Sequence, residues 1–394
     1  MTLGRRTLLL AASGLVLILL VFGAHGLIQR QLTASVAPAA VPTATPTSAP
    51  TATPAPNTPT AAPTATPGPP TNTPGPTNTP APTTPPQPTA TSFPTAPPTP
   101  VGPIVTNTKL GVGWYSTNTD ITTLRVFRPA AILIQDPDPR TAAIYRTNFP
   151  KALIIGRHFM ADGDPLLPQC SNASEDHHAK GVFLADYVAR TAVPLKGVVD
   201  AWVSDNEQTD DARPQELACH ADFQLGFIEE LQGKYGIDAV AGNDASAALL
   251  PTDYPKYFAK PIAAAAYFGV HAYGAPEANK DPSTRRLDNG PNSIYYALRY
   301  RMIHDQLAAA GIMPQKGFFL TETGLYDGWR GYVSEDIVAA QILWLEQQIE
   351  QDPYVKAQFV FGMGLQGRFA PFDILGTRIV DILGAYNAAH PGTV

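Results

Sequence analysis

The stretch Ala201-Trp202-Val203-Ser204-Asp205-Asn206-Glu207-Gln208 decides the fold. The residues leading into it, Val198 to Val203, are mostly apolar and β-prone, as in a strand covered on both faces. Polar residues follow, then Pro214, and then a helical pattern from Gln215 to Gln232. A strand that ends in an amide and a carboxylate before a helix is one unit of a parallel α/β fold. Outward from it, the same alternation predicts strands near Leu110–Trp114, Ala131–Gln135, Ala152–Arg157, Ala239–Gly242, Ala263–His271, Phe318–Glu322 and Gln358–Met363. Helices are predicted at Ile121–Phe127, Arg140–Asn148, Ala179–Thr191, Tyr254–Phe258, Ser293–Ala310, Glu335–Gln351 and Gly376–Ala389. Eight such units over residues 108–394 suit one (β/α)8 TIM barrel. The competing architecture, a doubly wound open sheet, wants a glycine-rich turn after its first strand. Gly111-Val112-Gly113 lies within that strand instead.

The first hundred residues have a different texture. Between Arg6 and Arg30, the run Thr7 to Ile28 holds 22 residues without an Asp, Glu, Lys or Arg. About 20 apolar residues cross a bilayer as a helix, and the two arginines before the run favour a cytoplasmic N-terminus. A small-x-small site at Ser35-Val36-Ala37 lies well past the apolar run, which favours an uncleaved anchor over a removed signal. Residues 1–30 are therefore read as a transmembrane signal-anchor. The chain has 41 prolines, and they concentrate in residues 38–103 among threonines and alanines. Proline at that density removes amide donors and fixes φ, so residues 31–107 are read as a disordered Pro/Thr-rich stalk. In a polyproline-II conformation such a spacer would reach up to roughly 200 Å. This organisation predicts a single-pass protein of the cell membrane with its barrel outside the cell, or a secreted one if the anchor is cut. The net charge of -6 and the lack of a basic run exclude nucleic acid as the main partner.

If the barrel forms, the strand ends meet at one mouth and gather Trp114, Gln135, Arg157, His158, Asn206, Glu207, Asn243, His271, Tyr273 and Glu322. Two glutamates on two strands of one barrel are what glycoside cleavage requires: one carboxyl attacks the anomeric carbon, the other protonates the leaving oxygen. Asn206-Glu207 follows the fourth predicted strand, His271-Ala272-Tyr273 the sixth, and Thr321-Glu322-Thr323-Gly324 ends the seventh. In that order the motifs resemble the clan A glycoside hydrolases, the retaining (β/α)8 group of cellulases, mannanases and xylosidases. The resemblance covers about residues 109 to 390. It implies Glu207 as acid/base, held protonated until it acts, and Glu322 as the ionised nucleophile. It also implies Asn206 as donor to the sugar 2-hydroxyl and Tyr273 as partner of the nucleophile. Arg157, His158 and His271 are expected to steady Glu322 or line the sugar site. Trp114, Tyr273, Tyr326 and Trp329 offer flat faces for pyranose stacking. The implied partner is an oligo- or polysaccharide, with no cofactor and no metal.

Several features depart from that pattern or stand beside it. Many members of the group end the eighth strand with a tryptophan, which is absent from Gly362 to Phe369; Gln366 or Phe369 would have to serve instead. Asp205 reads as a solvated loop residue or, if the register differs, as a substitute for Glu207. The segment Asp162 to His178 collects Asp162, Asp164, Glu175, Asp176, His177 and His178, and reads as a rim loop. Adjacent histidines on a helix point about 100° apart, so they do not favour one ion. Cys170 in this loop and Cys219 in the following helix are the only cysteines, and outside the cell they are expected to pair. No Gly-x-Ser-x-Gly elbow occurs, which excludes the esterase alternative. A carbohydrate-binding or adhesion barrel without catalysis remains the rival from another class.

Overall fold

The computed structural model describes residues 102–116, 121–161, 163–209, 214–274 and 286–393. The apolar run at residues 7–28, most of the Pro/Thr-rich stretch and Asp162 lie outside them. Among the described residues no helix is long and apolar enough to cross a membrane.

Eight parallel strands close on themselves in sequence order. They are β1 (Leu110–Trp114), β2 (Ala131–Gln135), β3 (Leu153–Arg157), β4 (Ala201–Val203), β5 (Asp238–Asp244), β6 (Tyr267–Tyr273), β7 (Gly317–Gly324) and β8 (Val355–Met363). The α-helices between and after them are α1 (Thr122–Phe127), α2 (Pro139–Asn148), α3 (His177–Ala192), α4 (Pro214–Gly233), α5 (Asp253–Tyr257), α6 (Ala259–Ala264), α7 (Arg299–Ala309), α8 (Glu335–Glu350) and α9 (Arg378–Ala389). The expected (β/α)8 barrel is present.

Two predicted strands start later than their apolar runs. Ala263 and Ala264 belong to α6, because an alanine run without β-branching is a strong helix former. Before β4, the amides of Val198 and Val199 both donate back to the Leu195 carbonyl, a turn that delays the strand to Ala201. At the other pole of the fold, Ile104 is buried and its amide donates to Asn148 O at 2.7 Å, so the ordered domain already includes these residues.

Strand alternation divides the core into two layers. Leu133, Ile155, Val203, Val240, Phe319 and Phe359 fill the barrel interior, where Tyr267 stacks on Phe319 at 4.2 Å. Leu110, Val112, Ile154, Trp202, Phe318 and Leu320 face the helices. This alternation decides what reaches the mouth. Along β3, Ile155 and then Arg157 point inward. Glu322 would point outward by strict alternation from Phe319. Register shifts between Val270 and His271 on β6, and between Leu320 and Thr323 on β7, bring it over the interior instead.

Cys170 and Cys219 form a disulfide with Cα atoms 5.6 Å apart, pinning the long β3–α3 loop to α4. The acidic residues of that loop mostly serve its own backbone. Asp176 caps α3 through Ala179 N, Asp164 accepts from Leu166 N, and Glu175 accepts from Gln169 N. Closing 49 residues of chain removes entropy from the unfolded state. Replacing both cysteines by alanine is expected to cost about 4 kcal/mol of stability, read by urea unfolding.

Candidate active site

At the C-terminal mouth the side chains of β3, β4, β6 and β7 form one connected network. Arg157 is buried and its Nη1 donates both to Glu322 Oε1 at 2.7 Å and to Asn206 Oδ1 at 2.6 Å. The other Glu322 oxygen accepts from the Tyr273 hydroxyl at 2.9 Å. His271 stands opposite Glu322 in the β6–β7 register. Its Nδ1 lies 2.7 Å from Glu207 Oε1 and 3.7 Å from Glu322 Oε2. One carboxylate oxygen of Glu207 and one of Glu322 lie within 4.8 Å of each other. Glu322 is buried, whereas the Glu207 side chain is 41% exposed to the cleft.

Asn206 is oriented by its partners. Its Oδ1 accepts from Arg157 and also from Asn243 Nδ2 at 2.7 Å, which leaves its own NH2 group as the free donor. Asn243 Nδ2 further donates to the Asp205 carbonyl at 3.0 Å, and the Glu207 amide donates to Asn243 O at 3.1 Å. The loop after β4 is thus tied to the end of β5. Both Glu207 (φ 52°) and Asn243 (φ 73°) adopt left-handed backbone conformations, uncommon for residues with side chains and concentrated at functional sites.

His271 and Glu207 act on each other's charge. Burial disfavours its charge, but the His271 hydrogen bond and the charges of His271, Arg157 and Arg368 outweigh burial and lower its pKa. Burial likewise opposes a charge on His271, yet Glu322 and Glu207 raise its pKa above the ordinary 6.5. The two shifts share one cause, the 2.7 Å contact between His271 Nδ1 and Glu207 Oε1, so the two groups titrate as a pair. The three groups Glu207, His271 and Glu322 have the spacing of a cation site. Arg157 and Tyr273 already occupy the Glu322 oxygens, and His271 Nδ1 is engaged by Glu207, so a cation would have to displace them.

Three residues expected at the sugar site are elsewhere. Trp114 falls on the helix-facing side of β1, where it packs edge-on against Tyr145 at 6.3 Å, because alternation from Leu110 and Val112 turns it outward. Trp329 is buried in the outer core, and its N–H donates to Phe372 O at 3.2 Å, fastening the loop after β7 to the one after β8. His158, one residue past Arg157, turns away and pairs with Asp136 at 2.6 Å.

Other residues take part that the motifs did not single out. Tyr115 continues the inward face of β1, and Arg157 Nη2 donates to its hydroxyl at 3.3 Å. A Cβ at Gly113 or Gly362 would meet the Tyr115 ring at 2.7 or 2.6 Å, so the two glycines make room for it. Phe361, at the end of β8, packs edge-on against Tyr115 at 5.3 Å, Tyr273 at 6.3 Å and Phe372 at 5.3 Å. Phe361 is the aromatic ring at the end of β8, with the more exposed Phe369 beside it at 5.8 Å and Gln366 out at the surface. Gly113 and Gly362, which make room for the Tyr115 ring, are the mark this cluster leaves in the sequence.

Asp205 is not a solvated loop residue. It is buried beneath Asn206 and Glu207, accepting from Ser204 Oγ at 2.6 Å and from Gln224 Nε2 at 2.9 Å. Gln224, on α4, also exchanges hydrogen bonds with the backbone of Gly242. Burial, with the nearby Asp244 adding to it, pushes the Asp205 carboxyl from 3.8 up to about 7. Between these values the folded chain holds a proton that the unfolded chain releases. This contribution to stability is complete below pH 3.8 and is lost as pH rises through about 7. Asp205→Asn is expected to make the difference from wild type shrink or reverse toward high pH, measured by urea unfolding at about pH 4 and about pH 8.

No family model and no curated protein matches the chain. Solved structures similar to it include a monomeric β-xylosidase from Caulobacter crescentus, at 13% identity and TM-score 0.49, covering 74% of this chain and 70% of that one. An endo-β-1,4-mannanase from Cellulomonas fimi matches at 15% identity and TM-score 0.45, covering 74% and 72%. An endo-β-1,3-glucanase from Amycolatopsis mediterranei matches at 14% identity and TM-score 0.44, covering 71% and 100%. The functional reading rests on the residues of this chain.

Proposed function

We propose that the chain is a retaining glycoside hydrolase that cleaves β-linked glycans outside the cell. The observation that carries this reading is the pair of carboxylates on β7 and after β4, with oxygens within 4.8 Å of each other and the Glu207 side chain 41% exposed. A retaining pair stands about 5 to 5.5 Å apart, whereas an inverting pair is about 6.5 to 9.5 Å apart to admit a water. Glu322 is the nucleophile, held by Arg157 and Tyr273 with its two oxygens fixed. Glu207, reachable from the cleft, is the acid/base. A substrate entering the mouth separates Glu207 from His271 and removes water, which favours the protonated form of Glu207 that the acid step needs. The Asn206 NH2 group donates to the sugar 2-hydroxyl, a bond that strengthens as positive charge grows on the ring. Phe361 and Tyr273 wall the sugar site.

The same reading places the barrel on a stalk. Residues 1–30 anchor it in the cell membrane, residues 31–101 space it from the bilayer, and residues 108–394 carry the chemistry. The Cys170–Cys219 bridge supports an oxidising location. The binding-module alternative has no use for a network that fixes both oxygens of one buried glutamate.

The test is turnover of a panel of β-glycosides. Glu207→Ala is expected to slow alkyl glycosides by about 10² to 10⁴ and to spare the first step on substrates with an activated aryl leaving group, which need no proton. Equal loss on both kinds of substrate would contradict the acid/base role.

A further inference from the structure

His158 is left over from the mouth, and the place it occupies is a second cavity. This cavity, of about 270 Å³, lies between the segment after β2 and helix α3, and its lining includes Asp136, Pro137, His158, Tyr187, Thr191 and Trp202. Strand alternation separates it from the active site. Arg157 points into the barrel and touches Glu322, and the next residue, His158, faces this cavity, so both sites share the end of β3.

The polar groups here are used differently from those of the mouth. Asp136 accepts from the Phe159 amide and pairs with His158 Nδ1 at 2.6 Å, which leaves Nε2 as the free ring nitrogen. Among the described residues neither that nitrogen, nor the Tyr187 hydroxyl, nor the Thr191 hydroxyl has a hydrogen-bond partner. The Trp202 indole N–H is buried and also has none. His158, Tyr187 and Thr191 are only partly buried, and concave sites with a few unpaired polar groups beside apolar walls are where small ligands bind. Tyr187 is held in place by His158 at 5.0 Å and by Arg190 at 5.3 Å, while Pro137 and Val188 supply apolar surface.

The ligand class follows from this inventory. The carboxylate of Asp136 disfavours an anion. Of the two carboxylates in the lining, Asp138 caps α2 through Arg140 N and Thr141 N and Asp136 is paired with the single imidazole, which leaves too few ligands for a metal ion. What fits is a neutral molecule with several hydroxyls and an apolar face, of the size of one sugar ring. We propose that this cavity binds one sugar unit of a glycan, as a second site outside the catalytic mouth. The identification of the ligand as carbohydrate rests on the glycosidase reading above.

The experiment uses the full-length chain in detergent, as the Glu322→Gln variant so that no probe is consumed. Cellotetraose, xylotetraose, mannotetraose and laminaritetraose are titrated, and the indole ¹H–¹⁵N signals of the four tryptophans are followed. The Trp202 signal is assigned with Trp202→Phe. At least one probe is expected to shift the Trp202 signal saturably. Tyr187→Leu and Asp136→Asn should each weaken that response by about fivefold or more. With Glu322 restored, both variants should hydrolyse short aryl glycosides at the normal rate. A Trp202 signal unmoved by all four probes overturns the proposal, as does a response that keeps its affinity in both variants. Aryl-glycoside hydrolysis by the wild-type chain separates the two readings. Hydrolysis without a Trp202 response removes the second site alone, and a Trp202 response without hydrolysis removes the glycosidase reading alone.

Discussion

Glu322→Gln is expected to lower turnover of aryl β-glycosides by at least about 10⁴-fold while the barrel stays folded. A loss of that size is about 5 kcal/mol of transition-state stabilisation. Glutamine is the informative replacement because of what surrounds the carboxylate. Arg157 donates to one Glu322 oxygen and Tyr273 to the other, both inside the barrel. An amide keeps an acceptor for Arg157, and the Tyr273 hydroxyl can reverse its role and accept from the new NH2 group. An alanine would leave the guanidinium buried without its counter-charge, so lost activity would be mixed with lost stability. The check is kcat on an activated aryl glycoside together with the thermal midpoint. Residual turnover within tenfold of wild type would remove Glu322 from the reaction.

Arg157→Leu should be the substitution most costly to the fold among the mouth residues. One Nη1 atom bridges Glu322 and Asn206, and Nη2 reaches Tyr115, so three strands lean on a single buried guanidinium. Removing one partner of a buried ion pair costs about 3 to 5 kcal/mol, because the remaining charge is stranded. For a domain of this size that lowers Tm on the order of 10 °C. Lysine cannot substitute, since it lacks the planar fork that serves several acceptors at once. The cause can be separated from simple loss of packing. In Arg157→Leu combined with Glu322→Leu no charge is left stranded, and stability should recover most of the loss, although activity will not. A double variant as unstable as the single one would show that the ion pair was not responsible.

The sequence made the barrel legible because each strand is a short apolar run closed by a polar residue and followed by a helical period. The order of Asn206-Glu207, His271-x-Tyr273 and Glu322 along those runs pointed to residues that the fold brings into contact. The errors have common physical origins. Trp114 and His158 read as mouth residues because they end strands. Strand ends have two faces, and only the period counted from Leu110 or Ile155 tells which is which. Glu322 shows the opposite limit, since strict counting would turn it outward and only the register shifts beside it bring it in. Asp205 looked solvated because acidic loop residues usually are. Its burial depends on Gln224, which arrives from α4 and has no signature in the local sequence. Phe361 and Tyr115 were hidden in the same way, since their meeting joins the first and last strands of the closed barrel.

The most direct test of the central claim is the mass of the intact protein after exposure to a 2-deoxy-2-fluoro β-glycoside with an activated leaving group. In a retaining enzyme such a reagent forms the covalent glycosyl intermediate and slows its hydrolysis. The account predicts a mass increase of one fluoro-sugar, with peptide mapping placing it on Glu322 and no adduct in Glu322→Gln. Product of inverted configuration without any adduct, or an adduct on Glu207 or Asp205, would contradict it.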